Sequence, residues 1–340
     1  MDKKKVKSIL GGLLVLVIFF IGFASGASLP KKLISAVQTG IENNQRDNSN
    51  KSFSFINPLL DCGDLNNLSS RTVNDTKEKI VDFIDEQKAQ GIDDVAVYFR
   101  DLNNGPWFGI KEKEDFLPAS LLKVPLMMNI FKQAMSDPSF LSKQFVWQGR
   151  SENKEHFKAE SELENNHAYS IGEAVDSMIR YSDNNSSHIL TYALDTSTLL
   201  ASYTELGIAS PNTSGYAISA RTYASFFRIL YNSTFLNKEY SEKALRLLSE
   251  TQFNKGLVSG VPATIKISHK FGERQVSASV KQLHDCGIVY YPNKPYLLCV
   301  MTRGRNLDEL ASFIGQVSKI VYESVDQSGG ATREIKRLPK

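Results

Sequence analysis

Cysteine is scarce in this chain of 340 residues, which contains only Cys62, Cys286 and Cys299. Three cysteines are too few for a disulfide-stapled scaffold, and they lack the close spacing of a zinc site. Cys286 and Cys299 lie on neighbouring strand-like runs, where they could pair across a hairpin or remain two buried thiols. The five histidines also lack metal-site spacing, so we expect no bound metal.

The chain has no large excess of charge of one sign, and it has no nucleotide-binding sequence motif. The formal net charge is only +3, and no block of five or more basic residues occurs after the N-terminus. Nucleic acid is therefore not an expected partner. The glycine-rich signatures that hold phosphates or dinucleotides are absent as well, so we expect no cofactor.

One long uncharged run is present near the N-terminus. Residues 1–7 contain four lysines, and residues 9–29 contain no charged residue. Such a run can span a membrane with its basic end inside the cell, so residues 1–29 are predicted to be a transmembrane anchor. The competing interpretation is a signal peptide cleaved near the small residues Ser25 and Ala27. Both place the rest of the chain outside the cytoplasm, as a single-pass membrane protein or a secreted one.

The composition divides the remaining chain into three parts. Residues 30–75 are polar apart from an apolar island at residues 53–60, and we predict a spacer there. Residues 76–325 carry the periodic apolar patterns of a folded domain. Residues 326–340 are predicted to be a disordered tail.

Strand patterns occur at both ends of the folded domain, with helical patterns between them. This order indicates one sheet built from distant parts of the chain, and so an α/β (α+β) fold. The predicted strands are residues 94–102, 107–110, 264–272, 279–291 and 296–304, and the predicted helices are residues 76–90, 120–135, 171–181, 220–231, 239–249 and 307–325.

A hydroxyl and an amine lie three residues apart at the start of the predicted helix 120–135. Ser120 and Lys123 therefore share a helix face, and burial would lower the lysine pKa until a neutral amine could accept the serine proton. The plain alternative is a helix-capping serine and a lysine that reaches the surface. Ser28 with Lys31, and Ser151 with Lys154, match the same spacing, but both pairs lie in polar or membrane-proximal segments.

Two further motifs follow in a fixed order. Ser182-Asp183-Asn184 comes after a predicted helix, and Lys270-Phe271-Gly272 lies on a predicted strand. The set Ser-x-x-Lys, Ser-Asp-Asn and Lys-x-Gly resembles that of the class A β-lactamase and penicillin-binding enzyme family. The resemblance covers about residues 76–325. It implies a five-stranded antiparallel sheet flanked by helices, plus an all-helical subdomain.

The resemblance also implies roles for individual residues. Ser120 would be the nucleophile and Lys123 its base, while the backbone N–H groups of Ser120 and of Glu273, after Gly272, would bind the oxyanion. By the same resemblance, Ser182 and Lys270 would deliver a proton to the leaving nitrogen, Asn184 would hold the amide side chain of the substrate, and Asp183 would be structural.

Two features depart from the family pattern. Phe271 stands where the family usually has Ser or Thr, so recognition of a substrate carboxylate is in doubt, and Arg274 or Arg303 is a candidate to compensate. The second departure concerns the loop glutamate with which the β-lactamases activate water. No Asp or Glu occurs between Glu205 and Glu239, so hydrolysis of an acyl-Ser120 is expected to be slow unless Lys123 or a residue from another segment activates the water.

The sequence thus leaves three functions open. The first is a β-lactamase-like serine hydrolase that opens a β-lactam or a related cell-wall amide. The second is a D-alanyl carboxypeptidase or transpeptidase that β-lactams inhibit. The third is a weakly catalytic module that binds peptidoglycan. The expected partners are a small-molecule β-lactam or a muropeptide, and the membrane through the N-terminal segment.

Overall fold

The chain is described by a computed structural model that covers residues 53–58, 67–88, 91–149, 155–158, 160–211 and 215–335. The predicted anchor, the alternative Ser-x-x-Lys pairs and most of the predicted spacer lie outside these residues. Within the described part of the chain, no helix is both long and apolar enough to cross a membrane.

Alternating and continuous apolar runs form the strands of one antiparallel sheet. Five of the nine described strands form this sheet, in the order β2-β1-β9-β8-β7. Its three C-terminal strands are almost completely buried, since helices cover both faces. The nine strands are β1 Ile92–Asp101, β2 Trp107–Ile110, β3 Asp115–Phe116, β4 Gln144–Val146, β5 Ala168–Ser170, β6 Ile218–Ser219, β7 Ile267–Gln275, β8 Lys281–Val289 and β9 Tyr296–Gly304.

Two helices from opposite ends of the domain pack on one face of the sheet, and the remaining helices lie on the other face. The fold predicted from the sequence is therefore confirmed, although the mainly helical part also contains the short strand pairs β3–β6 and β4–β5. The helices on the first face are α1 Ser70–Gln87 and α8 Leu307–Ile335, and the others are α2 Lys123–Ser136, α3 Ile171–Arg180, α4 Asn184–Ala193, α5 Thr196–Glu205, α6 Ala220–Tyr231 and α7 Lys238–Leu248.

The folded region begins earlier than the composition predicts. Phe55 and Ile56 are buried in the core. Three successive backbone N–H groups, those of residues 54–56, donate to the Glu242 carboxylate on α7. Helix α1 also begins at Ser70, where the Ser69 hydroxyl accepts a hydrogen bond from Thr72 N–H. The predicted spacer was therefore wrong for residues 53–58, where Phe55 and Ile56 are buried, and for residues 67–75, where Leu68 is buried and α1 begins.

The last helix also extends further than predicted. Helix α8 continues to Ile335, so the predicted disordered tail was wrong for residues 326–335. Asp326 accepts a hydrogen bond from the Tyr291 hydroxyl, and Lys294 Nζ donates to Ser328 Oγ. These contacts attach the extension to the turn between β8 and β9.

The cysteines of the central strands form a disulfide. Cys286 and Cys299 are directly opposite each other on β8 and β9, fully buried, and bonded to each other. Of the two possibilities that the sequence left open, the structure has the cross-strand pair.

Removing this disulfide should lower the free energy of unfolding by about 3 kcal/mol, the value expected for a closed loop of this order. The test compares guanidinium unfolding midpoints of the wild type and of the double variant Cys286→Ala, Cys299→Ala, with and without a reductant. The reductant should shift only the wild type. Equal midpoints for the reduced and oxidised wild type would contradict the expected stabilisation.

Candidate active site

Ser120 lies on a tight turn that precedes a buried helix. Residues Ala119–Leu122 form a single 3₁₀ turn, and Lys123 begins α2. Ala119 has φ of +47°, a left-handed conformation that a non-glycine residue adopts only when its surroundings hold it there. The turn presents the Ser120 side chain to a cavity of about 550 Å³.

Several side chains of the sheet and of α6 hold this turn in place. Leu117 N–H donates to Gln282 Oε1 (3.0 Å), and the Leu117 carbonyl accepts from His284 Nε2 (3.1 Å). Burial lowers the pKa of His284 to about 4, so its ring stays neutral and keeps one donor and one acceptor. The Tyr223 hydroxyl donates to the Leu121 carbonyl (3.0 Å).

Gly272 lets strand β7 approach the turn closely. A Cβ at this position would lie 2.8 Å from the Pro118 carbonyl oxygen and 3.0 Å from the Leu121 nitrogen, so only glycine fits without a shift. Glu273 follows directly on β7 and lines the same cavity as Ser120. The residue that follows the strand motif and the serine turn therefore lie at the same cavity, an arrangement that only the family resemblance implied.

Lys123 is buried, and its amine contacts the Ser-Asp-Asn turn. The Nζ atom donates to the Ser182 carbonyl and to Asn184 Oδ1 (2.7 Å), and it lies 3.3 Å from Ser182 Oγ. Burial lowers the pKa of Lys123 to about 8, although Glu155 and Asp183 oppose the shift. Among the described residues, this amine forms its hydrogen bonds with Ser182 and Asn184 and none with Ser120, whose proton it was expected to accept.

Lys270 points to the same hydroxyl from the strand. Its Nζ donates to Ser182 Oγ (2.8 Å) and to the Phe271 carbonyl (3.1 Å), and the side chain is fully buried. Burial, and secondly the nearby Lys123, hold the pKa of Lys270 well below its usual value. Two ammonium groups around one buried hydroxyl are costly, so this pair favours one neutral amine.

The Ser-Asp-Asn turn has its own structural anchor. Ser182 adopts φ of +57°, and Asp183 is fully buried at the N-cap of α4. The Asp183 carboxylate accepts from the backbone N–H groups of Asn185 (3.0 Å) and Ser186 (3.0 Å). The structural role predicted for Asp183 fits this geometry.

Phe271 and the two candidate arginines have different surroundings in the structure. Phe271 is buried and stacks on Phe253, with ring centroids 4.1 Å apart. Arg303 forms an ion pair with Asp94 (2.6 Å), whereas Arg274 lines the cavity. Of the two arginines that could bind a substrate carboxylate in place of the missing hydroxyl at position 271, only Arg274 therefore lies at the cavity.

His269 is buried and contacts Asp285 (2.8 Å), which gives it a structural partner.

One residue at the cavity was missed by the sequence analysis. Glu155 lines the cavity, and its carboxylate accepts a hydrogen bond from Asn184 Nδ2. It lies in a polar stretch without periodicity, so no sequence signal distinguished it from surface glutamates. The segment after α5 supplies no acidic residue in place of the family's loop glutamate. Of the described part of residues 206–238, only Pro211 lines the cavity. Among the described residues, no cluster of His, Cys, Asp or Glu could hold a metal ion.

Comparisons with known proteins agree with this architecture. The family profile described as Beta-lactamase enzyme family matches residues 75–325. The structure of PBP-A is similar at 20% identity with a TM-score of 0.62, covering 81% of this chain and 100% of that chain. The TLA-1 extended spectrum beta-lactamase is similar at 17% identity with a TM-score of 0.63, covering 75% and 99% of the two chains.

A class A beta-lactamase from Bacteroides cellulosilyticus has a similar structure, at 20% identity with a TM-score of 0.62, covering 74% of this chain and 99% of that chain. No curated protein sequence matches the chain. Because the identities are low, the structural similarities establish the fold, while the match of the profile to most of the chain establishes the family.

Proposed function

Since the chain belongs to the Beta-lactamase enzyme family, we propose that it is a serine acyl-hydrolase that opens a β-lactam or a related cell-wall amide through an acyl-Ser120 intermediate. One observation supports this proposal most directly. The amines of Lys123 and Lys270 lie 3.3 and 2.8 Å from the Ser182 hydroxyl, and Lys123 lines the same cavity as Ser120. Amines with lowered pKa values next to hydroxyls are typical of acyl-transfer sites.

In the proposed acylation, Ser120 Oγ attacks the carbonyl carbon of the amide. As the new C–O bond forms, the hydroxyl proton passes to the neutral amine of Lys123, directly or through Ser182. The negative charge that develops on the carbonyl oxygen is held by the backbone N–H groups of Ser120 and Glu273. Asn184, whose Oδ1 accepts from Lys123, holds the amide on the acyl side of the substrate.

The tetrahedral adduct then breaks its C–N bond. The departing nitrogen takes the proton of the Ser182 hydroxyl, and the protonated amine returns a proton to Ser182. Lys270 keeps this hydroxyl oriented through its 2.8 Å hydrogen bond. The products are acyl-Ser120 and a free amine, which remains part of the same molecule when a β-lactam ring opens.

A second candidate function has the same acylation but slow hydrolysis. No carboxylate from the described part of residues 206–238 lines the cavity, so this segment supplies no counterpart of the loop glutamate with which the β-lactamases of the family activate water. A mutant of PBP-A, one of the structural neighbours, is an acyl-enzyme complex with penicillin-G. Slow deacylation favours a D-alanyl carboxypeptidase or transpeptidase that penicillin inhibits.

We also propose an extracytoplasmic location with residues 1–29 as the membrane anchor. The buried disulfide between Cys286 and Cys299 supports this location, because disulfides persist in oxidising compartments. Cell-wall amides are found there as well.

Incubation with a labelled penicillin tests the proposed function. We expect a covalent adduct of the mass of the opened drug on the wild type and none on Ser120→Ala. Ser187→Ala is the matched control, because Ser187 lines the same cavity and should keep the adduct. Rapid turnover supports the hydrolase, and a long-lived adduct supports the peptidase. An adduct that persists in Ser120→Ala would show that the nucleophile is another residue.

A further inference from the structure

Glu155 occupies the position at which the proposed function places the substrate. Asn184 Nδ2 donates to Glu155 Oε1, while Asn184 Oδ1 accepts from Lys123 Nζ (2.7 Å). The amide that should hold the acyl side of a substrate is therefore engaged by a carboxylate of the chain itself. A substrate that binds Asn184 must displace this carboxylate, which then lies beside the substrate.

The backbone next to Glu155 is held by contacts with β7 and with the first turn of α8. We call residues 155–158 the strap. Phe157 N–H donates to Glu273 Oε1 (2.9 Å), and His156 Nε2 lies 2.7 Å from Asp308 Oδ2. The Phe157 ring packs edge-on against Phe253, with centroids 5.0 Å apart. The strap can therefore keep the Glu155 side chain at the cleft after its hydrogen bond to Asn184 is broken.

The negative charge of Glu155 acts on the two buried lysines of the site. Its carboxylate raises the pKa of Lys123 and of Lys270, against the larger lowering caused by burial. Glu273, the other carboxyl on the cavity, is mostly buried, and burial raises its pKa. Glu155 is thus the carboxylate best placed to act on a group of the substrate that lies next to Asn184.

We propose that Glu155 determines substrate specificity by selecting the charge of the acyl side chain: it favours an ammonium group near the acyl-side amide and disfavours a carboxylate there. The inference rests on the proposed function, in which Asn184 holds that amide. A displaced Glu155 carboxylate forms an ion pair with an ammonium group and repels an anion at the same position. The preferred substrates are therefore amides whose acyl part carries a free amine.

Three penicillins with the same phenyl group test this selection. Benzylpenicillin, ampicillin and carbenicillin carry hydrogen, an ammonium group and a carboxylate, respectively, on the carbon next to the acyl-side amide. Acylation rates are measured by adduct mass at mildly acidic pH, for the wild type and for Glu155→Gln. We expect the ratio of the ampicillin rate to the carbenicillin rate to be about three- to tenfold higher in the wild type, as partly exposed charge pairs allow.

Two further variants control for the fold and for general charge effects. Glu155→Asp keeps the carboxylate and should keep the preference for ampicillin. Glu164→Gln removes an exposed carboxylate from the segment after the strap and should leave the ratio unchanged. An equal ratio in the wild type and Glu155→Gln, or an equal change in Glu164→Gln, would overturn the inference. If none of the three penicillins forms an adduct and none is hydrolysed, the proposed function is refuted, and the inference with it.

Discussion

Replacing Lys123 by methionine should slow the acylation of Ser120 by about 10³-fold, which is within the range that a positioned general base contributes. Lys123 is 3% exposed, and its amine contacts the Ser-Asp-Asn turn. Methionine fills a similar volume without a buried charge, so the fold should persist. Stopped-flow or mass measurements of adduct formation with a penicillin, together with the thermal unfolding midpoint, give both quantities.

The wild-type rate should also depend on pH in one direction. Burial lowers the pKa of Lys123 to about 8, and the base is the neutral amine. Acylation should therefore rise as the pH increases through about 8, with about a tenth of the amine neutral at neutral pH. Lys132→Met, on the same helix but with an exposed side chain, is the matched control and should keep the rate and its pH profile. A normal rate in Lys123→Met would assign the base to Lys270.

Gly272→Val should reduce acylation by about 10²-fold, because displacements of the reacting groups by about an ångström have effects of this size. Even the Cβ of alanine would lie 2.8 Å from the Pro118 carbonyl oxygen, and the branched side chain of valine is larger. The strand and the serine turn must then separate, which should also cost about 1–3 kcal/mol of stability.

A graded series and a neighbouring site separate this effect from a general weakening of β7. Gly272→Ala should show a smaller loss of acylation than Gly272→Val, and Gln275→Val, at the exposed end of the same strand, should show none. Acylation at the wild-type rate in Gly272→Val would mean that this close approach does not position Ser120.

The sheet and most helices could be predicted because their apolar periodicity is strong. β9, for example, is predicted with its observed bounds, and the buried helix after Ser120 was recognised by its apolar residues. The approach of Lys123, Ser182 and Lys270 was predicted only through the resemblance, since residues far apart in the chain give no signal of spatial proximity. Their catalytic roles remain predictions.

Other features depend on tertiary contacts that a single sequence does not encode locally. The island at residues 53–58 is ordered because Glu242, far along the chain, accepts its backbone N–H groups. The contact of Glu155 with Asn184 depends on the strap being held by Glu273 and Asp308. Whether the two cysteines of the hairpin pair depends on the register of β8 and β9, which periodicity alone does not fix.

The left-handed residues Ala119 and Ser182 belong to the two turns that carry the reactive groups. Each left-handed conformation destabilises the folded state by about 1 kcal/mol, and the packing around the residue offsets this cost. On warming or in mild denaturant, relaxation of these turns is favoured before the sheet opens. Catalytic competence should therefore disappear at a lower temperature than the one at which the domain melts.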